Sequence, residues 1–173
     1  MLVLMLTISV EAASLRYWID DCTRPESGCR AGDPELAKWA LEAWQAASNG
    51  KLTFQKADEP AKAQIRIHWV TAREGLYGEA VGGDVYVRPE TGEGLLRDSV
   101  VYLTCLHETG HALGLSHTAA FADIMYSFQN GGDIREYFDR YRRQLSRRED
   151  IRKTPGMSTD DRRRLIGMLD REK

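Results

Sequence analysis

Residues 107–117 read His-Glu-Thr-Gly-His-Ala-Leu-Gly-Leu-Ser-His, and no other stretch of this 173-residue chain constrains it as tightly. His107 and His111 stand four apart. On a helix that spacing projects both imidazoles from one face, which suits two ligands on one tetrahedral ion. Glu108 lies one residue along, beside such an ion rather than on it. Gly114 falls where the helix must end, and glycine tolerates the positive φ of that turn. His117 follows three residues later, placed to swing back as a third ligand. Three histidines leave the fourth position of a zinc ion open for water, which marks a hydrolytic rather than a structural site. Multiplying residue frequencies over start positions, all five positions coincide by chance in about one such chain in 10⁵, against roughly one in a few hundred for the bare His-Glu-x-x-His. The segment therefore predicts one catalytic zinc ion held by His107, His111 and His117, with Glu108 free to act as a base.

The rest of the chain bounds what can surround this segment. Its length is that of one domain, enough to bury a core without disulfide or metal staples. Hydrophobic residues make up 42% and charged residues 29%, which excludes a disordered chain, a collagen and a multi-span membrane protein. The net charge of −2 gives no global field for nucleic acid. Residues 133–173 carry 13 basic and 9 acidic residues, read as a solvated face. The expectation is a monomer with no nucleic-acid partner and no stable membrane span. Leu2–Val10 is an apolar run of nine, within the range of a signal-peptide core and too short for a spanning helix, although no Lys or Arg precedes Arg16. Residues 1–12 are read as a leader and 13–173 as one domain, with an upper part (13–117), a lower part (118–173) and a secreted or periplasmic location. Cys22 and Cys29 could bridge across six residues in an oxidising compartment or remain two thiols. Cys105, among Val100, Val101, Leu103 and Leu106, reads as an inert buried thiol.

Alternation predicts a strand over 15–20. Asp33 as N-cap and Pro34 at the first helical position open a helix with Leu36, Ala37, Ala40, Leu41, Trp44 and Ala47 inward. Asn49-Gly50 stops it. Strands follow over 52–56 and 64–70, the latter with Ile65, Ile67 and Trp69 on one side and His68 on the other. Gly82-Gly83 joins 76–81 to 84–88 as a hairpin. Asp98 or Ser99 is expected to cap the histidine helix. Residues 133–148 predict one long amphipathic helix with Ile134, Phe138, Tyr141 and Leu145 inward and the pairs Glu136/Arg140 and Asp139/Arg143 outward. Ser158 to Asp161 reads as a capping box opening a last helix, with Leu165, Ile166 and Leu169 inward.

The extended motif, followed by Asp123-Ile124-Met125-Tyr126, is the signature of the metzincin metalloproteases. It is most similar to the matrixin branch, whose Met-turn sets a methionine, here Met125, as an apolar floor beneath the zinc. The resemblance implies a zincin-like α+β fold: a twisted five-stranded mixed sheet with an antiparallel edge strand, a long helix, the zinc helix and C-terminal helices. Several features depart from the branch. No room exists for a pro-domain, His68 cannot rebuild a structural zinc site, no calcium loop is evident, and residues 127–156 are longer than usual.

The function this implies is zinc-dependent endopeptidase hydrolysis. The substrate is expected to lie extended along the edge strand, against Leu76, Tyr77, Gly78, Glu79 and Ala80, with Gly78 leaving room for its backbone. The matrixin resemblance implies that the chain after Met125, with Phe128 its one large apolar residue, forms the wall of the pocket beyond the scissile bond. Residues 133–153 either dock to fix that wall, giving a pocket for a medium or large apolar side chain, or form a peripheral insertion. Two rivals are a zinc-binding recognition module without turnover, which would not need Glu108, and an amidohydrolase acting on a non-peptide amide.

Overall fold

The computed structural model of the chain describes residues 12–71, 77–89 and 91–171. Five strands form one sheet: β1 (Ala13–Ile19), β2 (Leu52–Lys56), β3 (Ile65–Trp69), β4 (Gly78–Val81) and β5 (Asp84–Val87), in the order β2-β1-β3-β5-β4. All pairings are parallel except β4 with β5, which is antiparallel and places β4 at the edge. Parallel neighbours require crossovers, and α1 (Asp33–Ala47) supplies the first, between β1 and β2. The long helix α2 (Gly94–Ala112) packs on β4 and β5 and against α1; α3 (Ile134–Arg142) and α4 (Thr159–Leu169) complete the fold. The mixed sheet, its antiparallel edge and the helices are those the sequence implies.

The core lies between the sheet and α1 and α2. Ile65, Ile67 and Trp69 of β3 and Val85 and Val87 of β5 are buried, as are Leu36, Ala37, Ala40, Leu41 and Trp44 of α1. Trp44 is fully buried, and its Nε1–H donates to the Leu106 carbonyl at 2.9 Å, fixing α1 against the zinc-motif helix. Cys105 sits in this core, where burial pushes its thiol well up, away from the reactive thiolate. Cys22 and Cys29 are bridged, with Cα atoms 5.4 Å apart. His68 lies on the sheet's other face, against Asp84 Oδ1 at 2.9 Å and stacked on Tyr86.

Five local expectations are corrected. Asp33 does not cap α1: it lies inside the helix, its carboxylate accepting from the Arg30 amide and forming a bidentate pair with Arg97 at 2.6 and 2.7 Å. The histidine helix opens at Gly94, not at Asp98 or Ser99. Ser99 instead donates back to the Leu95 carbonyl, a bond available only inside a helix, and Asp98 faces Arg148. The long helix expected over 133–148 stops at Arg142. Asp150 then accepts from the amides of Ser146 and Arg147 and starts a separate 3-10 turn, Arg148–Lys153. Within α3 the expected pairs are replaced by Arg143 with Glu136 and Arg135 with Asp139, while Arg140 stacks on aromatic rings. Finally, Ile166 of α4 is only half-buried, whereas Asp161 is fully buried beside Leu165 and Leu169.

No helix among the described residues is long and apolar enough to cross a membrane. The expected leader falls on residues 1–12, of which 1–11 lie outside the described residues, as does Leu76.

Candidate metal centre and substrate cleft

His107 and His111 project from the last turns of α2, and His117 returns from the loop after Gly114, whose φ is 98°. The three Nε2 atoms lie 3.0, 3.1 and 3.2 Å from one another. A tetrahedral ion with bonds of about 2.0–2.1 Å needs nitrogens about 3.3 Å apart, so the spacing fits a zinc ion. The tautomers fit too. His107 Nδ1 faces the Ile124 carbonyl at 2.6 Å and His111 Nδ1 faces that of Leu115 at 2.8 Å. A carbonyl only accepts, so each Nδ1 carries the hydrogen and each Nε2 turns a lone pair inward. Two lone pairs turned toward one point, with a third imidazole nitrogen beside them, suit a cation. Burial holds the His107 imidazole down at about 4 against the opposing pull of the Ile124 carbonyl, and burial also lowers that of His117, so both favour the neutral, ligating form. Among the described residues this is the one group of three potential ligands placed to share an ion.

Met125 is fully buried against the histidine helix. Its approach depends on Gly110: a Cβ there would stand 2.5 Å from Met125 Sδ and 2.9 Å from Trp44 Cζ2. The turn is pinned from both ends, with the Thr118 amide donating to the Met125 carbonyl at 2.8 Å and the Ser127 amide to the Thr118 carbonyl at 3.0 Å. It is also braced by residues the sequence reading did not single out for the site. Asp161 accepts from the Ser158 amide, closing the capping box, and its Oδ2 also takes the Ile124 amide at 2.8 Å. Asp123 accepts from Ser158 Oγ and Arg164, and its carbonyl accepts from Tyr137 Oη at 3.0 Å. Since Ile124 also holds His107, α3 and α4 orient that histidine through this turn.

Glu108 is buried in the cleft wall beneath β4. Burial, and secondarily Glu79, raise its carboxyl to about 7, against the opposing pull of Arg88; a divalent cation on the histidines would lower it again. Gly78 is a position of close approach within the domain. A Cβ at Gly78 would meet Glu108 Cγ at 2.6 Å and Thr104 Cγ2 at 2.7 Å. Its missing side chain admits Glu108 from within the domain.

The cleft has a volume of about 640 Å³. Tyr77, Gly78, Glu79 and Ala80 form one rim, and the three histidines and Glu108 lie at its centre. Beyond them it is walled by Leu103, Phe128, Ile134, Tyr137 and Phe138. Phe138 closes across to Tyr77, with ring centroids 5.2 Å apart. Residues of α3 thus enter the cleft directly, and 134–138 are not peripheral to it. A sequence signal for Tyr137 existed: it lies three residues after Ile134 and four before Tyr141, on the apolar stripe.

No family model matches the sequence, and no curated protein matches it. Among solved structures, the fold resembles that of archaemetzincin from Methanopyrus kandleri, with a TM-score of 0.54 and 16% identity, over 92% of this chain and 96% of that one. At this identity the likeness establishes the zincin-like fold and does not assign the chain to the matrixin branch.

Proposed function

We propose that this protein is a zinc-dependent endopeptidase with Glu108 as general base. The observation that carries the reading is the convergence of three histidine Nε2 atoms in an open cleft that also holds a buried carboxylate. A zinc ion held by His107, His111 and His117 supplies a Lewis acid for a water and a carbonyl oxygen. Glu108 takes one proton from the attacking water and delivers it to the departing amine nitrogen, so the carboxylate is regenerated in each cycle. The edge strand β4 offers its unpaired side to an extended peptide. The side chain after the scissile bond enters the apolar space between Leu103, Phe128, Ile134, Tyr137 and Phe138, which favours a medium or large apolar residue. The kinship with matrixins rests on the Leu-Gly-Leu within the motif and on Tyr126 directly after Met125. Export is supported by the apolar Leu2–Val10 run and the Cys22–Cys29 bridge.

The test is digestion of a proteome-derived peptide library by zinc-loaded wild type and Glu108→Ala. Wild type is expected to cut at internal bonds, and Glu108→Ala to retain zinc while losing several orders of magnitude in rate. Near-normal turnover by Glu108→Ala would refute the mechanism. Hydrolysis confined to small non-peptide amides would replace the substrate class.

A further inference from the structure

We propose that the cavity behind α3 is a binding site for a small oxyanion, held between Arg140 and Arg162. This cavity, about 330 Å³, shares Leu103 and Tyr137 with the substrate cleft and is walled by both α3 and α4. Its remaining wall includes Tyr141 of α3, Gln144 just beyond that helix, the 154–157 turn and Arg162 of α4, and its lining holds no carboxylate.

The two guanidinium groups come from different helices, and among the described residues neither forms an ion pair, whereas Arg135, Arg143, Arg163 and Arg164 of the same helices all do. Glu136, whose carboxyl feels the Arg140 charge, is held by Arg143. Asp123 and Asp161 are held by Arg164. Arg140 is fixed before any ligand arrives: its guanidinium lies 4.5 Å from the Tyr137 ring centroid and 4.9 Å from that of Phe121, and its Nε–H donates to the Tyr137 carbonyl. Its outer nitrogens remain available as a planar fork of donors. The tyrosine hydroxyls are already spent, Tyr137 on the Asp123 carbonyl and Tyr141 on that of Thr154. The cavity therefore offers donors on cationic groups, and its complement is an acceptor-rich anion: sulfate, phosphate or a peptide carboxylate. Because Tyr137 separates this cavity from the cleft and braces the Asp123 carbonyl, an anion joining α3 to α4 would also steady the cleft wall.

The test uses the full zinc-loaded chain. Calorimetric titration with sulfate at fixed ionic strength is preferred to a melting shift, because sulfate stabilises proteins generally. Saturable binding is expected. Arg162→Gln, at an exposed position, should weaken it about tenfold or more, the loss of a contact to a charged group, and Arg140→Gln should do the same. Arg163→Gln, one residue along but paired with Asp160, should leave it unchanged. A second arm titrates one peptide with a free and with an amidated C-terminus. Arg162-dependent binding of the free acid alone identifies a chain terminus as the ligand; binding of sulfate without it identifies a free oxyanion. Absence of saturable binding in both arms, or binding indifferent to Arg140→Gln and Arg162→Gln, overturns the proposal.

Discussion

Gly110→Ala sets helix propensity against packing at the floor of the metal site. Position 110 lies inside α2, where replacing glycine by alanine stabilises an exposed helix by about 1 kcal/mol. Here the new methyl carbon would stand 2.5 Å from Met125 Sδ and 2.9 Å from Trp44 Cζ2. Ordinary carbon contacts need about 3.5–4.0 Å, so the sulfur must retreat by about 1 Å. Trp44 cannot yield, being fully buried and bonded through Nε1 to the Leu106 carbonyl. Overpacking of this kind costs about 1–3 kcal/mol, which exceeds or cancels the gain in propensity and leaves a net loss of up to about 2 kcal/mol. The displacement falls on Met125, next to the Ile124 carbonyl that orients His107. Disturbing such a support weakens metal binding by about tenfold or more. Urea melts of the apo chain and zinc competition against a chromophoric chelator measure the two effects separately. A Gly110→Ala chain more stable by about 1 kcal/mol, with unchanged zinc affinity, would refute the packing argument.

Three other outcomes follow from the same structure. Asp33→Asn removes the charge facing Arg97 across a fully buried pair, and a loss of about 3 kcal/mol or more is expected in denaturant melts; a loss below about 1 kcal/mol would show the pair to be dispensable. Phe138→Ala opens the wall of the cleft and should broaden the preference for the residue after the scissile bond in a peptide-library digest, whereas an unchanged cleavage profile would detach α3 from specificity. Asp84 is held well below the usual carboxylate range, first by its hydrogen bonds from Arg66 and then by that from His68. A depressed folded-state value contributes stability that is fully present above the unfolded value of about 3.9 and is lost as pH falls toward the folded one. The stability gap between wild type and Asp84→Asn should therefore be level down to about pH 4 and shrink below it; a gap that widens on acidification would contradict this.

How much was legible in advance depended on how local each signal was. The helix spacing of His107 and His111, the return of His117 after Gly114 and the hairpin at Gly82-Gly83 are written in short windows with one steric solution each. The start of α2 was misplaced because Asp98 and Ser99 are good capping residues by composition, while their partners, Arg148 and the Leu95 carbonyl, are fixed only by the folded structure. Asp33 was misread for the same reason: its partner Arg97 is 64 residues away. The end of α3 at Arg142 depends on Asp150 accepting amides from Ser146 and Arg147, a local competitor that the continuing apolar stripe through Leu145 concealed. The brace of the Met-turn was invisible for a further reason. Asp161 looked like one acid of a capping box, and its second role, on the Ile124 amide, comes from a residue 37 positions away. At Gly78 the close approach of Glu108 and Thr104 depends on the packing of β4 on α2, which no short window of sequence shows.

The central claim is that His107, His111 and His117 hold one zinc ion. Elemental analysis of exhaustively dialysed wild type beside His111→Ala tests it most directly. One zinc per chain is expected in the wild type and none in His111→Ala. Zinc retained in full by His111→Ala, or two tightly held zinc ions per wild-type chain, would contradict the account.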